Sequence, residues 1–243
     1  SSSINNNNNN NNKNNITITA ESKHPYDNAN DVWTEITVPN AKRVKIAFTP
    51  QSRTEDNYDY VHILKTPPRV DGMILYKTII SQSCNSSAAE NSEVLRTIPS
   101  DVIIKVRPEL RMKYCDGQLD TENHPDCYYR GKIEEPSLYA DTWITLKPST
   151  VSFCDISGNP WISKWHNDKY SGHTNWPNVD NPLIIFDNSF IVFFHCDGSG
   201  NDWGWKLSAK AIEDDEYPDV IQTESLFDQA KNKENARIIE SSH

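Results

Sequence analysis

The sequence carries five cysteines, Cys84, Cys115, Cys127, Cys154 and Cys196. Cys115, His124 and Cys127 lie close together in the chain, with Cys84 and Cys154 as further donors, and these are the residue types that hold zinc. Zinc sites draw on Cys and His ligands, usually from closely spaced Cys-x-x-Cys pairs. Here the two nearest cysteines stand 12 positions apart, so no Zn2+ is expected and the residues read as ordinary thiols in a loop-rich stretch. An odd total also argues against a complete disulfide framework. Reduced thiols of a cytoplasmic protein are the expectation.

A cysteine nucleophile needs a histidine beside it, oriented by a third group, and no spacing in the sequence singles out such a pair. The chain has no Gly-x-Ser-x-Gly elbow, no phosphate loop and no His-Glu-x-x-His motif. A hydrolase built on the Asp and Glu residues of the middle region would need a carboxylate pair, and none can be named. The expectation is a protein that is not an enzyme.

The aromatic residues point instead to binding. Trp161, Trp165 and Tyr170 are interleaved with Lys, His, Asn and Asp, a pattern that suits a surface patch. Exposed aromatics stack on sugars or anchor a protein partner. Trp161, Trp165 and Trp176 together give the alternative of a carbohydrate-binding β-sandwich. Trp33 and Trp203 alternate with apolar strand positions and are expected to be buried.

Charge narrows the partner class. The net charge is −10 and no run of lysine or arginine stands out. Nucleic acids are bound mainly through clustered basic residues, and anionic membrane surfaces attract the same residues, so neither is an expected partner. No stretch approaches the ~20 apolar residues of a membrane helix. The longest, Leu183 to Phe194, is broken by Asp187, Asn188 and Ser189.

The elements that must position these residues read as β-strands. Ile16–Thr19, Val32–Val38, Val44–Phe48 and Tyr58–Leu64 alternate with a period of two. Leu183–Phe186, Phe190–His195 and Trp203–Ala211 resume the pattern near the other end. Between them, about 66–168, the pattern is irregular, with short strand candidates at Met73–Ile80, Val102–Val106 and Trp143–Leu146. Residues 1–15, nearly all Ser and Asn, read as a disordered linker. Beyond Ala211 an acidic run opens a tail, 213–243, with a marginal amphipathic helix over 221–239. Many short strands with polar turns imply an all-β antiparallel sandwich.

Several blocks match a known pattern. Glu21-Ser-Lys-His-Pro-Tyr26, Val32 to Pro39, Ala41 to Phe48, Thr54-Glu55 and Asn57-Tyr-Asp-Tyr60 resemble the opening of CUB-like domains. Tyr170-Ser-Gly172, Asn175-Trp-Pro177, Phe190 to Cys196, Asp197-Gly-Ser199 and Asn201 to Trp205 resemble their end. The resemblance implies one CUB-like jelly-roll sandwich over 16–212, carrying an insertion at about 66–168. It is closest to the CUB-like segments of large intracellular proteins that also bear ubiquitin-ligase domains or ZZ zinc fingers. Asn57 stands where extracellular members often carry a cysteine.

The resemblance further implies a non-catalytic protein-interaction module, one that could present substrates for ubiquitin ligation, and a Ca2+ site at one end of the sandwich. By motif position its ligands are Glu55, Asp59 and Asp197, with Ser199 as an auxiliary ligand. The chemistry is coherent: calcium is satisfied by several oxygens from carboxylates and loop carbonyls, and three converging carboxylates repel one another unless a cation lies between them.

Overall fold

The structure is a computed structural model that describes residues 16–115, 118–120, 127–161, 163–166 and 169–212. The Asn-rich lead-in, His124 and the tail with its expected helix lie outside the described residues. Among those described, every regular element is a strand. In chain order these are β1 (Thr17–Glu21), β2 (Val32–Thr37), β3 (Val44–Phe48), β4 (Tyr60–Lys65), β5 (Ile74–Thr78), β6 (Gln82–Asn85), β7 (Val94–Ile98) and β8 (Ile103–Cys115). They continue with β9 (Gln118–Leu119), β10 (Tyr128–Glu135), β11 (Trp143–Leu146), β12 (Val151–Phe153), β13 (Leu183–Ile185), β14 (Ser189–His195) and β15 (Lys206–Ala211).

All strand pairs are antiparallel, and they form separate sheets. One sheet has the order β1-β15-β3-β13, a second the order β2-β14-β4. The third follows β12-β5-β8-β10-β11-β6-β7, with β9 paired to β8. Every strand of the first two sheets comes from the two ends of the chain, and the strands between Ile74 and Phe153 pair only with one another. The middle region is a sheet of its own rather than an irregular stretch. Its periodicity is interrupted by Pro108 within β8, after which Leu110 and Met112 alternate with Glu109, Arg111 and Lys113.

Two cores result. The first lies between the four-stranded and three-stranded sheets and holds Val44, Ile46, Phe48, Val61, Ile63, Phe190, Val192, Phe194, Leu207 and Ala209. The second lies under the insertion sheet and holds Tyr76, Ile104, Val106, Ile133, Ile144 and Phe153. Ile191, Trp33 and Leu64 belong to this second core, so the three-stranded sheet is covered on both faces. That explains the unbroken apolar run of β14, which a half-exposed strand would not need. Each large side chain so buried contributes about 1.5–3 kcal/mol.

A bidentate ion pair joins the sheets. Arg111 on β8 donates from Nη2 to Glu35 Oε2 at 2.8 Å and from Nη1 to Glu35 Oε1, and Nη1 also donates to the Tyr76 hydroxyl at 3.2 Å. Its guanidinium lies 4.9 Å from the centre of the Tyr129 ring. The chain leaves the first sandwich at Lys65 and comes back beside it. Lys65 N donates to Ser163 O at 2.8 Å, and the Trp161 indole donates to Lys65 O at 3.3 Å.

One sequence expectation is corrected here. Cys115 and Cys127 form a disulfide, with 4.9 Å between their Cα atoms. The reason is register: Tyr114 pairs with Tyr128, which sets the two cysteines opposite each other at the next position. An odd count leaves one thiol over without saying which of the others pair. Cys84, Cys154 and Cys196 are buried and take no part in a disulfide. Asn85 is held internally as well: its Nδ2 donates to Ser92 O and its Oδ1 accepts from Arg130.

Glu35→Ala leaves the Arg111 guanidinium, whose side chain is 8% exposed, without its counter-charge. The expected cost is about 3 kcal/mol in urea denaturation, and replacing both residues by methionine should recover most of it. A loss below about 1 kcal/mol would place the ion pair among the weak, solvent-screened kind.

Candidate metal centre

Asp59 immediately precedes β4 and Asp197 closely follows β14. These strands are neighbours, with Tyr60 opposite His195, so both acids emerge at the same end of the three-stranded sheet. Glu55 reaches that end through the turn between β3 and β4. The turn is tied down by its own backbone: Asp59 N donates to Glu55 O at 3.2 Å, and Thr54 Oγ1 donates to Asp59 O at 2.8 Å. From the returning chain, Ser171 Oγ lies within hydrogen-bonding distance of Glu55 O (3.1 Å) and Asp59 O (2.7 Å). The outcome is that one carboxylate oxygen from each of Glu55, Asp59 and Asp197 lies within 4.8 Å of the others.

Each acid has a different environment. Asp59 is fully buried. Its Oδ2 accepts from the Tyr26 hydroxyl at 2.5 Å and its Oδ1 from Asp197 N at 2.7 Å. The Tyr26 oxygen in turn accepts from Glu55 N at 3.1 Å, so one phenol touches two of the three acidic residues. Burial, followed by the hydrogen bond to Asp59, pushes the Tyr26 phenol well above its ordinary range. Asp197 Oδ1 accepts from Ser199 N at 2.9 Å.

Glu55 is the least satisfied. Its Oε2 is inaccessible to solvent and has no hydrogen-bond partner. Burial, with the charges of Asp197 and Asp59 added, raises its carboxyl above the ordinary value. Among the described residues no Lys, Arg or His forms an ion pair with any of the three. Gly200 makes room for the carboxylate: its φ is +75°, and a Cβ there would stand 2.0 Å from Glu55 Oε2. A converging set of hard oxygen donors, one of them buried and unpartnered, fits a hard cation such as calcium.

The structure thus brings the three expected carboxylates together. Ser199 donates its backbone N–H to Asp197 Oδ1. Tyr26 and Gly200 were missed by sequence reasoning. Both sit in loops without periodicity, and only the Tyr26 block of the family-like opening hinted at either.

The expected aromatic patch does not assemble. Tyr170 is 5% exposed and lies in the first core with Trp176; its backbone pairs with Val61 along the outer edge of β4. Trp165 packs on the first core and Trp161 on the second. The Lys65 ammonium sits 4.6 Å from the Trp165 ring centre. Alternation with polar residues arises here because the segment runs along a sheet edge with one side inward. Of the zinc grouping, Cys115 and Cys127 are consumed by their disulfide. Burial pushes the Cys84 thiol up and the Cys154 thiol up to about 11, the opposite of an activated nucleophile.

No family model matches this chain, and neither a curated protein nor a solved structure gives a significant match to it. Among the described residues no helix is long and apolar enough to cross a membrane.

Tyr26→Phe removes one hydroxyl that serves both Asp59 and Glu55 N. The variant should lose about 1–3 kcal/mol in chemical denaturation, because a buried carboxylate oxygen and a backbone donor both lose their partner.

Proposed function

We propose that the chain is a non-catalytic protein-binding module whose sandwich end is organised by a calcium ion held by Glu55, Asp59 and Asp197. The observation that carries this reading is the buried, unpartnered Oε2 of Glu55 aimed into a cluster of three carboxylates. Two of these acids are anchored on the ends of adjacent strands, so a bound cation would stiffen the loops that surround them. Beside the cluster, the face of β4 and β14 that carries Leu64 and Ile191 continues into half-buried Tyr60, His62, Phe193 and His195. Tyr60 stacks against His195 at 4.8 Å and carries Lys169 4.2 Å above its ring. Such half-buried rings at the rim of a rigid loop cluster suit a protein partner better than a sugar, and the Trp platform of the carbohydrate reading loses Trp176 to the core. The resemblance to CUB-like segments of ubiquitin-ligase proteins supports the same partner class.

Calcium at about a hundred times its Kd should stabilise the protein by about 2.7 kcal/mol, a rise of about 5–10 °C in melting temperature for a chain of this size. EDTA should reverse the rise and Glu55→Gln should abolish it. Glu55 is the residue to change, because Asp59 also holds Tyr26 and the Asp197 backbone. No rise at millimolar calcium would sink the metal reading. The binding role is tested by affinity capture with the intact chain in calcium and in EDTA. Partners held by the wild type and lost with Glu55→Gln support it; partners held equally by both would separate binding from the metal.

A further inference from the structure

Three metal-type donors meet at the end of β8. One ligand atom from each of Cys115, Asp120 and Cys127 lies within 4.8 Å of the others. Backbone pairing brings them there. Tyr114 pairs with Tyr128, which sets Cys115 opposite Cys127. Cys115 pairs with Gln118 of β9, and Asp120 N donates to Lys113 O at 2.7 Å, so the chain folds back and returns Asp120 to the same place. These contacts are made by the strands and not by the bond between the sulfurs.

The Asp120 side chain is closed to solvent, and its Oδ2 lies 3.4 Å from Lys113 Nζ. Buried charges are tolerated where they are paired or where they coordinate a metal. With the disulfide intact, the carboxylate has the lysine beside it and two neutral sulfurs that offer it nothing. Reduction changes what the sulfurs can do. A dithiol reductant gives its two electrons and two protons to the S–S bond and is itself oxidised to a disulfide, leaving Cys115 and Cys127 as thiols. Rotation about each Cα–Cβ bond then lets the sulfurs part far enough for both to bond one ion.

Zinc takes thiolate sulfur and carboxylate oxygen in a tetrahedral set. Each thiol releases its proton as its sulfur bonds the metal. The charges of two thiolates and one carboxylate are then cancelled by Zn2+ and the Lys113 ammonium together. The fourth position falls to water: Cys127 also lines a cavity of about 70 Å³ with Asp31, Trp33, Tyr129 and Lys147, which has room for one. From this convergence we propose that the reduced chain holds Zn2+ on Cys115, Cys127 and Asp120, so that the oxidation state decides whether sulfur–sulfur or metal–sulfur bonds close the end of β8. Cysteine spacing could not show the site, because strand register, rather than a Cys-x-x-Cys loop, brings the donors together. It is independent of Glu55, Asp59 and Asp197.

The test is titration of the full chain with Co2+, a spectroscopic stand-in for Zn2+, after reduction by a phosphine, since a dithiol would compete for the metal. The readout is the sulfur-to-cobalt charge-transfer band, which a carboxylate cluster cannot imitate. The reduced wild type should bind one Co2+ with the band of two thiolates, and Zn2+ should displace it. The disulfide form should show no band. Cys115→Ser should lose the two-thiolate band. Asp120→Asn keeps both sulfurs and should weaken Co2+ binding by about tenfold or more; its ability to form the disulfide on oxidation shows that its strands still pair. A reduced wild type without the band overturns the proposal. So does a two-thiolate band that persists in Cys115→Ser, or an affinity left unchanged by Asp120→Asn.

Discussion

Phe190, Val192 and Phe194 lie in one core and Ile191 in the other, so β14 cannot slip by one residue without exchanging the two cores. That constraint passes to its neighbours. β2 and β4 pair with β14 in fixed register, and each divides its side chains in the same way: Ile36 and Val61 face the first sandwich, Trp33 and Leu64 the insertion. The four-stranded sheet and the insertion sheet are both built against this central layer, and Glu35 and Arg111 add a directional contact across one of its faces.

The carboxylate cluster inherits its geometry from the same layer. Asp59 and Asp197 flank strands whose register is over-determined, so they converge whatever their mutual repulsion. Tyr26 and the Asp197 amide stabilise the Asp59 carboxylate with neutral donors rather than a basic side chain. That leaves the negative charge of the cluster in place, with Glu55 the residue that bears the strain of it. A site arranged in this way gains most from a cation and least from a lysine or arginine, which would need space that the buried Asp59 does not leave.

The first sandwich was legible in the sequence because β2, β3 and β15 alternate and fall where periodicity sets them, and β14 stands out as an apolar run bounded by polar turns. The insertion was legible only in pieces: the candidates at Met73–Ile80, Val102–Val106 and Trp143–Leu146 fall on β5, the start of β8 and β11, but Pro108 hides the length of β8, and β7 exposes apolar residues where a polar surface would be expected. The acidic triad was found through the resemblance rather than through spacing, because Glu55 and Asp197 are far apart in the chain and meet only through the β4–β14 pairing. Tyr26 could not be assigned its role from position alone, and Tyr170 was misplaced because an edge-covering segment and a surface patch share the same mixed composition. The Cys115–Cys127 pairing depended on a strand register that no cysteine count contains.

The hydrogen bond from Lys65 to Ser163 has a consequence for how such a molecule can change over generations. Seen from the first sandwich, the whole insertion sheet is a single surface loop whose two ends are already held together. Extending, trimming or exchanging what lies between them alters the closure entropy only slowly with length. The sandwich and its acidic end can therefore be inherited intact while the inserted sheet diverges, provided the replacement still covers Trp33, Leu64 and Ile191.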